Sequence, residues 1–276
     1  MDDLIVGSEA IAAGLVTRQD LRTKFAKLHQ NVYSPIGLEL DAADRPVAAW
    51  LWSRREAILV GSSAAAMHGT RWLPRDAPAE IARARHPAPR GIVVHCGAIA
   101  DDEICLVQSI YCTTPARTAY DIGRQVSADA SIIRIDALMN ATRCTVFDVN
   151  RIARRYPGAR GIRHLRAALT LADPGAESPK ETELRLLLVR DGLPRPVTQI
   201  RVGRRRVDMG WPQWKVGVEY DGEQHWTDPA THAGDIERLE YLAAQGWIIV
   251  RVSARQLRHD RAGVIARVRR ALPQYL

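Results

Sequence analysis

Three acids occupy positions that strand alternation turns to one side of a sheet. In "RRVDM", Val207 and Met209 are expected to face one way and Asp208 the other. In "VGVEYD", Val216, Val218 and Tyr220 oppose Gly217, Glu219 and Asp221. Paired strands lie about 4.8 Å apart and alternate residues of one strand about 6.6 Å, so Asp208, Glu219 and Asp221 are expected to converge. Carboxylates held that close repel one another, and a buried charge is costly unless it is paired or metal-bound. The spacing therefore predicts a hard divalent cation, Mg²⁺ or Mn²⁺, held by carboxylate oxygens at about 2.1 Å.

The elements that would position these acids read as a small α/β sandwich around a mixed sheet. "PKETELRLLLVRDG" has Pro179 at its entry, Glu181 and Glu183 in its first turn and Gly192 past its end, so a helix leads in. "TQIRVG" and "RRRVDMGW" form a hairpin through Gly203, and "WKVGVEYDG" is the next strand. "TDPATHAGDIERLEYLAAQG" reads as a helix, with Ile236, Leu239, Leu242 and Ala243 expected inward and Asp235 and Arg238 elsewhere. "WIIVRVSA" is an apolar strand and "DRAGVIARVRRAL" a basic closing helix.

"LADPGAESPK" interrupts a helical pattern with proline, glycine and small residues and marks a boundary, giving a domain over 173–276. Residues 46–172 are mixed α/β. "GSSAAAMHG" lacks the lysine and glycine spacing of a phosphate-binding loop and is expected to be a closely packed helix. His68 and His95 are isolated and structural. Residues 1–45 read as a helix-turn-helix with a ribbon. Ser8 is expected to cap a helix over Glu9–Ala13, and Thr17 with Asp20 makes a capping box for a second helix. Leu21, Phe25 and Leu28 are expected on its inner face, leaving Arg18, Gln19, Arg22 and Lys24 to enter a major groove with "HQNVYSP" as a wing.

The composition agrees with a polyanionic partner. The chain of 276 residues carries a net charge of +8 at pH 7, with four lysines against 35 arginines, whose planar fork suits phosphate. No apolar run approaches the length of a membrane span, and the N-terminus has no basic segment ahead of an apolar one, so the expected location is the cytoplasm. Cys96, Cys105, Cys112 and Cys144 have no zinc-binding spacing and are expected to be small buried thiols.

"SPKET", "LRLLL" and "DGLPRP", followed by "VDMG", "VEYDGEQHW" and "DIERLEYLAAQGWIIVRV", resemble the Vsr-like domain. That domain, related to very-short-patch-repair endonucleases, is a branch of the PD-(D/E)XK nuclease superfamily, and the likeness spans Glu177 to Leu276. The resemblance implies a restriction-endonuclease-like fold and metal-assisted hydrolysis of DNA phosphodiesters. It implies that Asp208 and the Glu219–Asp221 segment hold the metal and that Glu181, or alternatively Glu183, completes the site. Gln224, His225 and Arg238 would line it, with His225 as a proton relay and Arg238 toward DNA. Two departures stand out: Asp221 replaces the usual lysine two residues after the glutamate, and valine rather than proline precedes Asp208.

"LVTRQDL", "NVYSP", "GSSAAAMHG" and "TTPARTAYDIG" are similar to AbiEi-type antitoxins of type IV toxin-antitoxin systems. That likeness implies a winged helix-turn-helix that binds operator DNA through Arg18, Gln19 and Arg22, with a cognate toxin as partner. Two functions follow as expectations: a metal-dependent endonuclease of repair, restriction or phage-defence type, or a DNA-binding regulator whose nuclease-like domain is idle.

Overall fold

The computed structural model describes residues 4–84, 87–125, 127–222 and 229–273, the last stretch without the side chains of 229–233. It divides into two compact units, residues 1–170 and 171–276.

The first unit opens with β1 (Ile5–Val6), α1 (Gly7–Ala12), α2 (Arg18–Thr23), β2 (Phe25–His29) and β3 (Val32–Pro35), the strands forming a sheet in the order β1-β3-β2. Thr17 caps α2 through the expected box: its hydroxyl accepts from the Asp20 N–H while the Asp20 carboxylate accepts from the Thr17 N–H. Two local expectations fail. Helix α1 begins at Gly7 after an uncapped Val6, because the Ser8 N–H and hydroxyl are both engaged by the Asn31 side chain. Helix α2 stops at Thr23, so Phe25 and Leu28 belong to β2 rather than to its inner face. Phe25 pairs opposite Pro35 and Ala26 opposite Ser34, so pairing with β3 overrides the helix propensity of Ala26, Lys27 and Leu28.

Next come α3 (Asp44–Trp52), β4 (Ile58–Leu59), α4 (Gly61–Met67), β5 (Ala79–Ala82), β6 (Ile92–His95), β7 (Ile104–Val107) and β8 (Ile110–Thr113). Their five strands run β6-β5-β4-β8-β7 in a mixed sheet. Leu4 and Val32 share one core with Val47, Leu59, Ile81, Ile92 and Cys112. Helices α5 (Pro115–Gln125), α6 (Ala128–Ala141), α7 (Val146–Arg155) and α8 (Ile162–Leu171) follow.

The start of α4 holds its own anion. The Glu80 carboxylate accepts from the Ser62 N–H at 2.9 Å, and a Cβ on Gly61 would come within 2.6 Å of it, so the backbone there is committed internally. His95 pairs with the same carboxylate at 3.0 Å, and His68 Nε2 lies 2.8 Å from the Thr113 carbonyl. The cysteines are free, and only Cys112 is buried; Cys96 is exposed and the other two are intermediate, which corrects the expectation of four buried thiols. Burial pushes the Cys112 and Cys144 thiols up to about 12, which keeps them unreactive.

The second unit comprises α9 (Pro179–Arg190), β9 (Val197–Val202), β10 (Arg205–Trp211), β11 (Val216–Asp221), α10 (Pro229–Ala244), β12 (Ile248–Ser253), α11 (Ala254–His259) and α12 (Arg261–Ala271). Its sheet runs β12-β11-β10-β9, antiparallel except for β11 alongside β12. Leu184 and Leu188 of α9, Leu257 of α11 and Val264 and Val268 of α12 pack with Met209, Trp211, Val216 and Val218. A second cluster joins Ile200, Val202 and Val207 to Leu242 of α10. Ile236 and Ala243, expected inward, are exposed, because α10 meets the sheet mainly through Leu242 and charged side chains.

Val207 and Met209 therefore do not share a face as simple alternation would have it. The break lies at Asp208. Val207 sits opposite Ile200 and Met209 opposite Thr198, while Gln199 between them is turned to a φ of 52°. A left-handed residue in one strand resets the side-chain parity of its neighbour.

Candidate active site

Asp208 lies where the sheet opens. Pairing of β10 with β11 runs from Trp211 opposite Val216 to Met209 opposite Val218. One step further the Tyr220 N–H donates to Asp208 Oδ2 at 3.1 Å, a side chain standing in for a strand carbonyl. The same ladder brings Asp208 beside Glu219.

Glu181 enters from the first turn of α9. Ser178 caps that helix by accepting from the Glu181 N–H at 3.2 Å, and the Glu181 carboxylate accepts from the Ser178 hydroxyl and the Glu177 N–H, each at 2.9 Å. Gln199 Nε2 donates to it at 3.3 Å, so the same left-handed residue that resets the strand also steadies this acid. Glu183, the alternative, pairs with Lys180 at the surface.

The electrostatics show which acids belong together. Burial, then the negative charges of Glu181 and Glu219, push the Asp208 carboxyl up to about 7, against the Tyr220 N–H and the Arg238 charge. Burial likewise raises Glu181. Glu219 is only 4% exposed, yet it meets Arg238 in a two-pronged pair at 2.5 and 2.9 Å. That fork holds Arg238 above its ordinary value, with Asp235 adding to the effect. Arg238 also reaches Asp235 at 2.7 Å; Arg251 joins Asp235 and Asp221, each at 2.8 Å. A chain of alternating charges thus runs from Glu219 to Asp221 through Arg238, Asp235 and Arg251.

The structure accordingly brings Glu181 and Glu219 each within electrostatic reach of Asp208 and sets Asp221 on Arg251. Among the described residues, no three His, Cys, Asp or Glu side chains are grouped so as to hold a metal ion. The donor set itself suits a hard divalent cation: all three groups offer carboxylate oxygen, and the charge that burial and crowding withhold from Asp208 is one that such an ion would restore. Gln224 and His225 lie outside the described residues. Arg18, Gln19, Arg22 and Lys24 are all exposed on or just after α2, with Lys24 paired to Asp20 at 2.8 Å.

Sequence reasoning missed Gln199, Asp235 and Arg251. Gln199 carried no signal, since its role depends on a backbone twist. Arg251 was legible: an arginine inside the apolar run "WIIVRVSA" needs an acid on the neighbouring strand or helix. Asp235 stands three residues before Arg238, on the same helical face.

The family model REase_MTES_1575, of the restriction-endonuclease-like kind, matches residues 181–272. Two curated relatives, "Uncharacterized protein MT2308" of Mycobacterium tuberculosis strain CDC 1551 / Oshkosh and "Uncharacterized protein Rv2248" of strain ATCC 25618 / H37Rv, are each 32% identical over 165 residues. The match covers 58% of this chain and 61% of each relative. No solved structure matches the chain significantly. No helix among the described residues is long and apolar enough to cross a membrane. With its four-stranded mixed sheet flanked by helices and its match over residues 181–272, the C-terminal unit is a restriction-endonuclease-like α/β domain.

Proposed function

We propose that this chain is a metal-dependent DNA endonuclease of repair, restriction or phage-defence type. The C-terminal unit, Vsr-like in its motifs, cuts phosphodiester bonds, and the N-terminal winged module over residues 1–45 holds DNA. The observation that carries this reading is the grouping of Glu181, Asp208 and Glu219 at the open end of the sheet, inside the segment that the family model matches.

Asp208 and Glu219, with Glu181, would hold Mg²⁺ or Mn²⁺. Bound there, the ion would polarise the scissile phosphate and activate the attacking water. The chain's own groups prepare the site. The Tyr220 N–H orients Asp208, and Gln199 orients Glu181. Arg238 supplies beside Glu219 the positive charge that the superfamily usually takes from a lysine at the position of Asp221, its fork being held by Glu219. His225, just past β11, is assigned the proton relay.

A second reading has one observation in its favour. Arg238 and Arg251 already neutralise Glu219 and Asp221, as an idle, DNA-binding domain of an AbiEi-like regulator would keep them. Supercoiled plasmid incubated with Mg²⁺, Mn²⁺ or EDTA separates the two. The nuclease reading expects metal-dependent nicking by the wild type and none by Asp208→Asn. Tight DNA binding without nicking, equal in both proteins, supports the regulator.

A further inference from the structure

The hairpin formed by β9 and β10 carries four arginines in six residues, Arg201, Arg204, Arg205 and Arg206. Arg201 stands directly opposite Arg206, and like charges facing each other across a ladder destabilise it. Among the described residues only Arg206 of the four has a counter-ion, Glu177 at 2.8 Å, and Arg201 and Arg204 are exposed. Arg204 lies over the Tyr241 ring at 5.3 Å from its centroid, which props the turn against α10.

A charged edge strand has a common structural use, the blocking of strand addition. That use accounts for Arg201 on the edge strand β9. It does not account for Arg204, which sits on the turn between the two strands. The hairpin also ends at the acids: Arg206 is two residues from Asp208, and its charge acts on Glu181.

We infer that this arginine hairpin is the surface by which the C-terminal unit grips duplex DNA and leads its phosphates toward Asp208. A two-stranded ribbon of this kind fits the major groove of B-DNA, and phosphates would relieve the facing pair Arg201 and Arg206. The inference takes its substrate class from the nuclease reading.

The test uses the full chain carrying Asp208→Asn to prevent cutting and Arg18→Ala with Arg22→Ala to silence α2. Binding to a short fluorescent duplex is titrated across salt concentrations, with and without Arg201→Ser and Arg204→Ser. Two lost phosphate contacts should lower affinity roughly ten-fold and make the salt slope shallower by about 1.8. Unchanged affinity and slope, with melting temperature intact, would overturn the proposal. A loss confined to single-stranded DNA or to RNA would overturn the duplex assignment. Cleavage by the wild type together with an inert hairpin leaves the nuclease reading standing; lost binding in a protein that never cleaves leaves the hairpin standing without it.

Discussion

Arg238 grips both carboxylate oxygens of Glu219, joining α10 to a strand acid that is almost wholly buried. Removing one partner of such a pair strands the other without a counter-ion. Arg238→Met is expected to destabilise the protein by about 3 kcal/mol, and Glu219→Gln in the same chain should recover much of the loss. Urea unfolding of the two single variants and the double variant measures the coupling. Additive losses would mean that the fork contributes nothing beyond its separate charges.

Asp208 gives stability a pH dependence. Its carboxyl titrates near 7 in the folded chain and near the ordinary 3.8 when unfolded, so the folded state binds the extra proton between those values. Its contribution is fully present below about pH 4, declines as pH rises, and is gone above about pH 7, a change on the order of 4 kcal/mol. In EDTA, Asp208→Asn should lose this component and exceed the wild type in stability at pH 8. Unfolding series at several pH values decide it; parallel curves for the two proteins would contradict the assignment.

Added Mn²⁺ should raise the melting temperature of the wild type, and Asp208→Asn should abolish that response. A rise equal in both proteins would place the ion elsewhere.

Gly217 lies near the start of β11, where an added Cβ would approach Val207 Cγ1 to 2.6 Å and Ile249 Cδ1 to 2.7 Å. Gly217→Ala should therefore cost about 1–3 kcal/mol by overpacking. Thermal unfolding checks it, and a neutral result would mean that both neighbours can withdraw.

For α2, Arg22→Ala should weaken DNA binding and reduce the salt slope by about 1. Unchanged titrations would remove this helix from the interface.

The order of elements around the site was legible because each has a local cause. Ser178 and Pro179 start α9, Gly203 turns the hairpin, and the alternation in "VGVEYD" places Val216 and Val218 against Leu184 and Leu188 while Glu219 faces α10. The same alternation failed at Val207, where the left-handed Gln199 resets the parity, and no local pattern announces a φ of 52° at a glutamine.

By itself the sequence determined which residues are acids and which strands carry them, since side-chain chemistry and the two-residue strand period are local properties. It therefore marked Asp208, Glu219 and Asp221, whereas Glu181, with Glu183 as the alternative, followed from the family resemblance. Only the tertiary structure decided their partners. Whether a carboxylate meets another acid or an arginine depends on which helix covers the sheet and in what register, and these contacts span many residues: Glu219 to Arg238, Asp221 to Arg251, Asp208 to the Tyr220 amide. The packing of α10 and β12 against β11 is thus what gives Glu219 and Asp221 their arginine partners, while the start of α9 brings Glu181 within reach of Asp208.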